Sequence, residues 1–315
     1  MQQYILRRVL TIIPLLLILY TIVFFLIRSA PGGPWDSTKP MPAAVRDNVL
    51  KHYGLNEPIL KQYYHYLWNL ISQGDMGPSY RQPNRTVNEV LGSSISISVQ
   101  LGLCAIILSI VGGVSLGLIS SINSGKLTDF FVSIFVAVGI SVPEYVTTPL
   151  LILIMALTLH LVPTSGWDGL FSPKAIIPIF ALAIRPLSSI ARYTRSSMLD
   201  VLGSQYLISA KARGLSYLRV VIGHALPNAL IPILTIVGTH TAFIITGSFF
   251  VETAYGIPGF GRLFIDSIGE RDYPVVMGIT LLIGSVMIIM NLILDILYSY
   301  LDPRINFNNH STNNK

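Results

Sequence analysis

Three ionisable side chains stand inside long apolar runs, Glu144, Arg185 and His240, and a fourth, Asp295, lies toward the end of another. A charged group at the centre of a bilayer costs about 2.5 to 3.5 kcal/mol on insertion scales, so Arg185 must face protein, water or an interface. Two roles fit it: a cation for a carboxylate in a solute passage, or a structural cation that pairs with Glu144 or snorkels toward Arg192. Glu144 can attract a cationic solute or act as a structural partner. His240 sits among Thr235, Thr239, Thr241 and Thr246, a polar stripe that can line a wet passage or hydrogen-bond to neighbouring helices. Asp295 reads as a capping or salt-bridging group.

Covalent and metal chemistry find no comparable footing. The sequence contains no H-E-x-x-H, no G-x-S-x-G and no paired Asp motif within its apolar runs. Its six histidines, His52, His65, His160, His224, His240 and His310, are scattered without ligand spacing. Cys104 is the single cysteine, which rules out an intrachain disulfide or a cysteine metal cluster. A phosphate loop of the form G-x4-G-K-[ST] is missing. The nearest segment, Gly125-Lys126-Leu127, lacks the upstream glycine and the hydroxyl residue. No cofactor is therefore expected on this chain, and ATP, if used, must be hydrolysed by a partner.

The elements that hold these groups are membrane spans. Of 315 residues 52% are hydrophobic and 11% charged, against about 25% charged in a soluble domain, and the mean hydropathy is +0.63. About 20 apolar residues cover a hydrocarbon layer, and the sequence predicts six spans. The first runs from Val9 to Ile27, too long and too poor in cleavage signals for a signal peptide. The second is Ile95 to Ser120, with Gly112, Gly113 and Gly117 on a face suited to close helix approach. The third, Phe130 to Leu159, carries Pro143, Glu144 and Pro149 and is expected as one tilted, kinked helix. Ala175 to about Ala191 is a weaker fourth, interrupted by Arg185-Pro186; Asn228 to Phe250 and Val275 to Tyr298 complete the set.

Net charge is +6, but the basic residues lie in short segments between the apolar runs, which fits membrane topology and not a nucleic-acid surface. The positive-inside rule gathers Arg7, Arg8, Lys126, Arg192, Arg195, Lys211, Arg213, Arg219 and Arg304 on one side. Both termini are then cytosolic. The expected division is a first helix over 1–27, an external segment over 28–94 able to form a small folded cap, a transmembrane domain over 95–302 with a cytosolic loop at 195–226, and a cytosolic tail over 303–315.

That loop holds a distinct pattern. Ser204 can N-cap a first short helix, Gly214 stands where a helix ends in a left-handed residue, and Ser216 can cap a second helix. Leu207 and Ala210 share a face at i, i+3 spacing. A basic, solvated loop obeying the positive-inside rule would also account for Lys211 and Arg213. The order Ala210, Gly214, Leu226-Pro227, however, keeps the register of E-A-A-x3-G-x9-I-x-L-P, the motif that marks permease subunits of ABC importers, while departing from it at Ile208, Ser209 and His224. Here the chain resembles the oligopeptide, dipeptide and nickel permease family.

The likeness extends over nearly the whole chain: Leu6-Arg7-Arg8, Gly74-Asp75-Met76-Gly77-Pro78-Ser79, Val162-Pro163-Thr164-Ser165-Gly166, Phe250-Val251-Glu252-Thr253, Pro258-Gly259-Phe260-Gly261, Arg271-Asp272-Tyr273-Pro274 and Tyr300-Leu301-Asp302-Pro303-Arg304 occur in the family's order. The resemblance implies an all-α type I ABC importer permease in a prokaryotic inner membrane. Its partners would be a second homologous permease, two cytosolic ATPases that bind ATP and magnesium, and an extracytoplasmic solute-binding protein. The coupling loop would use Tyr206, Leu207, Ser209, Ala210, Lys211 and Gly214. An autonomous channel or secondary transporter would not need the Gly214-to-Pro227 register.

Overall fold

A computed structural model describes residues 2–31, 53–82, 84–205, 207, 214–245 and 247–301. Among these residues the regular structure is helical, apart from an isolated antiparallel bridge between Pro78 and Thr86, and loops join the helices. Helix α1 (Gln2–Ser29) is followed by a short α2 (Ile59–Gln73) in the polar segment and by α3 (Val87–Ile122). Then come α4 (Leu127–Ser141), α5 (Glu144–Leu151), which runs on as a π-helical stretch over Ile152–Thr158, and α6 (Ile176–Leu202). After the loop, α7 (Tyr217–Val220) passes through a π-helical turn into α8 (Leu226–Ile245). The chain closes with α9 (Phe249–Tyr255), α10 (Phe260–Glu270) and α11 (Tyr273–Leu301).

Four unbroken helices are long and apolar enough to cross a bilayer, and if each of two bent pairs, Leu127–Ser141 with Glu144–Thr158 and Tyr217–Leu230 with Ile233–Ile245, counts as one span, the total is the expected six. The second span begins before the expected Ile95 because Thr86 and Glu89 form a capping box: the Thr86 hydroxyl accepts the Glu89 amide at 3.3 Å and the Glu89 carboxylate accepts the Thr86 amide at 3.2 Å. The expected interruption of the fourth span does not occur. Helix α6 continues through Arg185-Pro186, and Pro186 is buried, the setting in which neighbouring helices make a proline tolerable inside a membrane helix.

The expected single kinked helix over 130–159 is also corrected. Helices α4 and α5 meet at 113°, far beyond a kink. Val142, the residue before Pro143, is extended at ψ 121°, the conformation that a following proline ring favours, and Pro143 has no amide with which to continue the ladder. The fifth span likewise ends at Ile245, short of the expected Phe250, and Gly247 turns the chain at φ +80° into α9.

Close packing of α3 along α6 forms the centre of the molecule. A Cβ placed on Gly113 would stand 2.7 Å from the Leu187 carbonyl and from Ile190 Cβ, and one on Gly117 would stand 2.5 Å from the Ala191 carbonyl. The expected small-residue face is thus the α3–α6 contact. One core cluster joins Leu101 and Ala105 of α3 to Ile177 of α6 and to Val251 and Tyr255 of α9; another joins Tyr20 and Phe24 of α1 to Met277 and Leu281 of α11.

A buried ion pair clamps one end of this packing. Asp129, at the start of α4, receives Arg195 Nε at 2.7 Å on Oδ1 and Nη2 at 2.8 Å on Oδ2. It also accepts the Ser120 hydroxyl and, at 2.9 Å, the Gly125 amide. The end of α3, the turn after it, α4 and α6 are thereby tied to one carboxylate.

Losing Arg195 would strand that carboxylate, whose side chain is 8% exposed, whereas losing Asp129 leaves an Arg195 side chain that is 34% exposed and able to reach water. Arg195→Ala is expected to cost about 3 kcal/mol and Asp129→Ala less. The double variant should cost clearly less than the sum, since contacting partners couple by about 0.5 to 3 kcal/mol. Thermal unfolding of the purified variants in detergent measures this, and additive effects would show that the pair is not a clamp.

Candidate functional site

The three ionisable residues singled out from the sequence line one cavity of about 430 Å³. Each arrives there for a local reason. The Val142-Pro143 break places Glu144 at the first turn of α5, the uninterrupted α6 carries Arg185 and Pro186 to the wall, and α8 supplies Thr239 and His240. The second break, at Gly247 and Ser248, brings Phe249 and Phe250 to the wall as well. Ser248 donates its hydroxyl to Glu144 Oε1 and accepts the Val251 amide at 3.2 Å, so the two helix breaks hold one another.

The expected alternative for Arg185, a pairing with Glu144, is not formed: among the described residues no ion pair joins them. The site is a half-open chamber with a cation on one helix, a carboxylate held by a serine on another, an imidazole on a third and apolar walls between them. Such a mixture can accommodate a solute bearing both charges. Thr239 and Thr241 donate their hydroxyl groups within α8, Thr239 to the Thr235 carbonyl at 3.0 Å and Thr241 to the Val237 carbonyl at 2.7 Å. Thr246 lies outside the described residues, as does the side chain of Asp295.

Beside the cavity, two of the quoted motifs interlock. Glu252 of α9 is 1% exposed. Its Oε1 accepts the Ser98 hydroxyl at 2.7 Å, and its Oε2 accepts the Gly261 amide at 2.7 Å and the Arg262 amide at 3.2 Å. Ser98 in turn accepts the Phe260 amide at 2.8 Å. One carboxylate therefore satisfies the first amides of α10, groups that a helix start leaves without partners, and fastens them to α3. Gly259 is required here by space: a Cβ on it would lie 2.5 Å from Glu252 Oε2.

Other motifs pair in the same manner. Asp272 accepts the Ser79 hydroxyl at 2.5 Å and the amides of Tyr80 at 3.1 Å and Arg81 at 3.2 Å, which joins the Gly74-to-Ser79 segment to the start of α11. Tyr255 donates its hydroxyl to the Pro163 carbonyl at 2.5 Å and accepts the Gly166 amide on its own carbonyl at 2.7 Å, which pins the Val162-to-Gly166 loop to α9. Asp129 carried no motif signal in the sequence, and the spacing to Arg195 gave no clue that the two meet.

Of the six residues expected in the coupling loop, Tyr206, Ser209, Ala210 and Lys211 lie outside the described residues. Leu207 is fully buried in a cluster with Met198, Val220, Val221 and Ala225, which ties the loop to the foot of α6 and to the α7–α8 entry. Gly214 has φ +84° with open space around the position a Cβ would take. The Ser204 hydroxyl donates back to the Val201 carbonyl at 2.5 Å, and most of the helix it was expected to cap lies outside the described residues. Ser216 occupies the N-cap position of α7, without a side-chain hydrogen bond there.

Four to six apolar spans packed closely around α3 and α6, with a polar chamber beside two helix breaks, define a polytopic membrane protein. Family comparison agrees: residues 113–307 match the model for the binding-protein-dependent transport system inner membrane component, and residues 1–100 match the model of its N-terminal region. The chain belongs to that family. It is 40% identical over 307 residues to the oligopeptide transport system permease protein OppB of Haemophilus influenzae, covering 98% of this chain and 100% of that one. It is 41% identical, with the same coverage, to OppB of Salmonella typhimurium. Against the dipeptide transport system permease protein DppB of Bacillus subtilis it is 38% identical over 306 residues, 97% of this chain and 98% of that one. Its fold is similar to a chain of the MetNI methionine ABC transporter in an inward-facing conformation, with TM-score 0.55, 16% identity, and coverage of 68% of this chain and 97% of that one. A chain of an amino acid ABC transporter crystallised with histidines gives TM-score 0.52 at 19% identity, covering 69% and 95%.

The Glu252 lock makes two predictions. Gly259→Ala should cost about 1 to 3 kcal/mol by overpacking, seen as a lowered unfolding midpoint, and an unchanged midpoint would mean that the lock yields freely. Burial pushes the Glu252 carboxyl above its ordinary value, against the lowering pull of the Ser98, Arg262 and Gly261 hydrogen bonds. A carboxyl raised on folding holds its proton more tightly in the folded state. Its contribution is complete below the unfolded value of about 4.3 and is lost as pH rises through the raised one. Wild type should therefore lose stability over that window more steeply than Glu252→Gln. Equal slopes would remove Glu252 from the account.

Proposed function

We propose that this chain is one of two permeases in an ATP-driven importer that passes peptides from an external binding protein through the membrane. The observation that carries this reading is its 38–41% identity to oligopeptide and dipeptide permeases over 97–98% of its length. In this reading residues 195–226 face the cytosol and dock on partner ATPases, whose closure rocks the helices between inward-open and outward-open states. Residues 28–94 and 251–274 face the other side, both termini are cytosolic, and ATP and magnesium are bound by the partners alone.

The chamber of Glu144, Arg185 and His240 supports the passage. Peptides carry a carboxylate and an ammonium group at opposite ends, and the chamber holds one charge of each sign on separate helices with no ion pair between them. Its volume lies within the usual range for small-molecule sites. Weak, separated contacts suit a passage, since a solute bound too well would not leave.

Uptake of labelled tripeptide, with nickel as a comparison solute, in a deletion strain complemented by this gene tests the reading. Tripeptide uptake is expected, and uptake of nickel alone would replace the substrate class. Arg185→Leu should lower tripeptide uptake about tenfold, the effect of losing one charge-assisted hydrogen bond in a partly wet site, at unchanged membrane abundance. Undiminished uptake would remove Arg185 from the passage.

Gly214 tests the coupling. A side chain at its left-handed φ costs roughly 1 to 2 kcal/mol, small beside the burial of six spans but enough to reorient a docking segment. Gly214→Leu should insert normally yet lose uptake and copurify poorly with the ATPase, while Gly203→Ala, at φ −78°, should be milder. Wild-type uptake by Gly214→Leu would reduce the loop to a linker.

A further inference from the structure

Helix α2 has three faces, and only two are accounted for by the fold. At 100° per residue, Tyr63, Tyr66, Leu67 and Leu70 fall on one side, and this side packs into the cluster of Tyr20, Phe24 and Met277. Lys61, His65, Asn69 and Ser72 fall on a second side, part of which borders a 440 Å³ polar cavity with Arg28 and Tyr80. The third side carries Leu60, Tyr64, Trp68 and Ile71 at i, i+4, i+8 and i+11, exposed by 63%, 66%, 69% and 71% respectively. It bears no charge. Such a stripe is absent from a cap surrounded by water, the form expected for this segment from its sequence.

The level of α2 along α1 indicates what covers the stripe. The Tyr20 hydroxyl donates to the Tyr63 carbonyl at 2.8 Å, Thr21 and Tyr63 share a hydroxyl bond at 2.9 Å, and the Phe24 and Phe25 rings stand 5.3 and 5.8 Å from that of Tyr63. All four α1 residues belong to the apolar span Leu10–Ser29. Tyr20 lies nine residues before Ser29, about 13 Å along the helix axis. The backbone of α2 is thus docked below the end of a membrane span and not above it. Next to it, α1 exposes Ile18, Ile22 and Leu26 by 56%, 57% and 64%, so the lipid-facing surface of the span lies at the same level as α2.

We infer that α2 is an interfacial helix whose Leu60, Tyr64, Trp68 and Ile71 stripe is buried in lipid at the headgroup–acyl boundary of the leaflet next to the C-terminal end of α1. A tryptophan and a tyrosine one turn apart are the side chains enriched at that depth, where an apolar ring meets water at its polar edge. The adjoining polar side of α2 opens on the cavity of Arg28, Lys61 and His65, so the helix has both the apolar and the polar side that lying in the interface plane requires. The partner is phospholipid, and the inference is independent of which solute the protein carries.

The test uses the full-length chain in phospholipid nanodiscs. In a Cys104→Ala background, nitroxides are placed singly through Leu60→Cys, Tyr64→Cys and Ile71→Cys, and through Lys61→Cys, His65→Cys and Ser72→Cys. The first three should collide with oxygen several-fold more than with a water-soluble nickel chelate, and the second three should show the reverse. Fluorescence of the native Trp68, isolated by Trp35→Phe and Trp167→Phe, should be quenched by lipids brominated near the headgroup and spared by aqueous iodide. Nickel access on both sides would make α2 a solvated cap. Immobile nitroxides reached by neither reagent on the first side would mean that protein, either residues 32–52 or a second permease, covers the stripe. Either result overturns the inference.

Discussion

Backbone polar groups have no water to turn to inside a bilayer, so wherever a helix breaks at membrane depth the protein must supply the missing partners itself. Two breaks in this chain, at Val142-Pro143 and at Gly247-Ser248, are tied to one another through Ser248. Ser248 accepts the Val251 amide at the start of α9 and donates to Glu144 at the start of α5. A few residues on, Glu252 accepts the first amides of α10 together with the Ser98 hydroxyl of α3. The polar chamber lies where residues from both breaks come together.

The same device recurs at the ends of the bundle. Asp272 collects the amides and hydroxyl of the Ser79 turn, and Asp129 collects Arg195, Ser120 and the Gly125 amide. In each case a short acidic side chain accepts several donors from segments far apart in the chain. Carboxylates suit the task because each has two oxygens and about four acceptor positions. Such hydrogen bonds are stronger than neutral ones, which offsets part of the cost of burying the charge. Rigid ends and a central α3–α6 contact made at glycine distance are consistent with helices that move as bodies and not by bending.

Membrane residence also explains the apolar surface. Large side chains such as Ile13, Phe130, Phe131 and Val111 are more than half exposed, a pattern that would aggregate in water and is ordinary against lipid. Helix α2 extends that surface outside the spans proper, and its polar side borders the cavity of Arg28. The short helix thus meets protein, lipid and water on three separate sides.

Much of this was legible in the residues themselves. Apolar length marks the spans, because the thickness of a hydrocarbon layer is a fixed ruler. Glu144, Arg185 and His240 announced themselves because an ionisable group in lipid is costly wherever it sits. The left-handed Gly214 followed from helix punctuation. What the sequence left open was every relation between distant segments. Periodicity shows that Pro143 weakens a helix but not that the chain turns by 113° there, since the angle depends on what packs into the bend. Arg185-Pro186 looked like an interruption and is none, because buried neighbours stabilise a helix that local propensity alone would break. The pairing of Glu252 with Ser98, of Asp272 with Ser79 and of Asp129 with Arg195 joins residues up to 193 positions apart. No local pattern encodes such a distance, and only the packing of α3, α6 and their neighbours brings these donors within reach of the carboxylates.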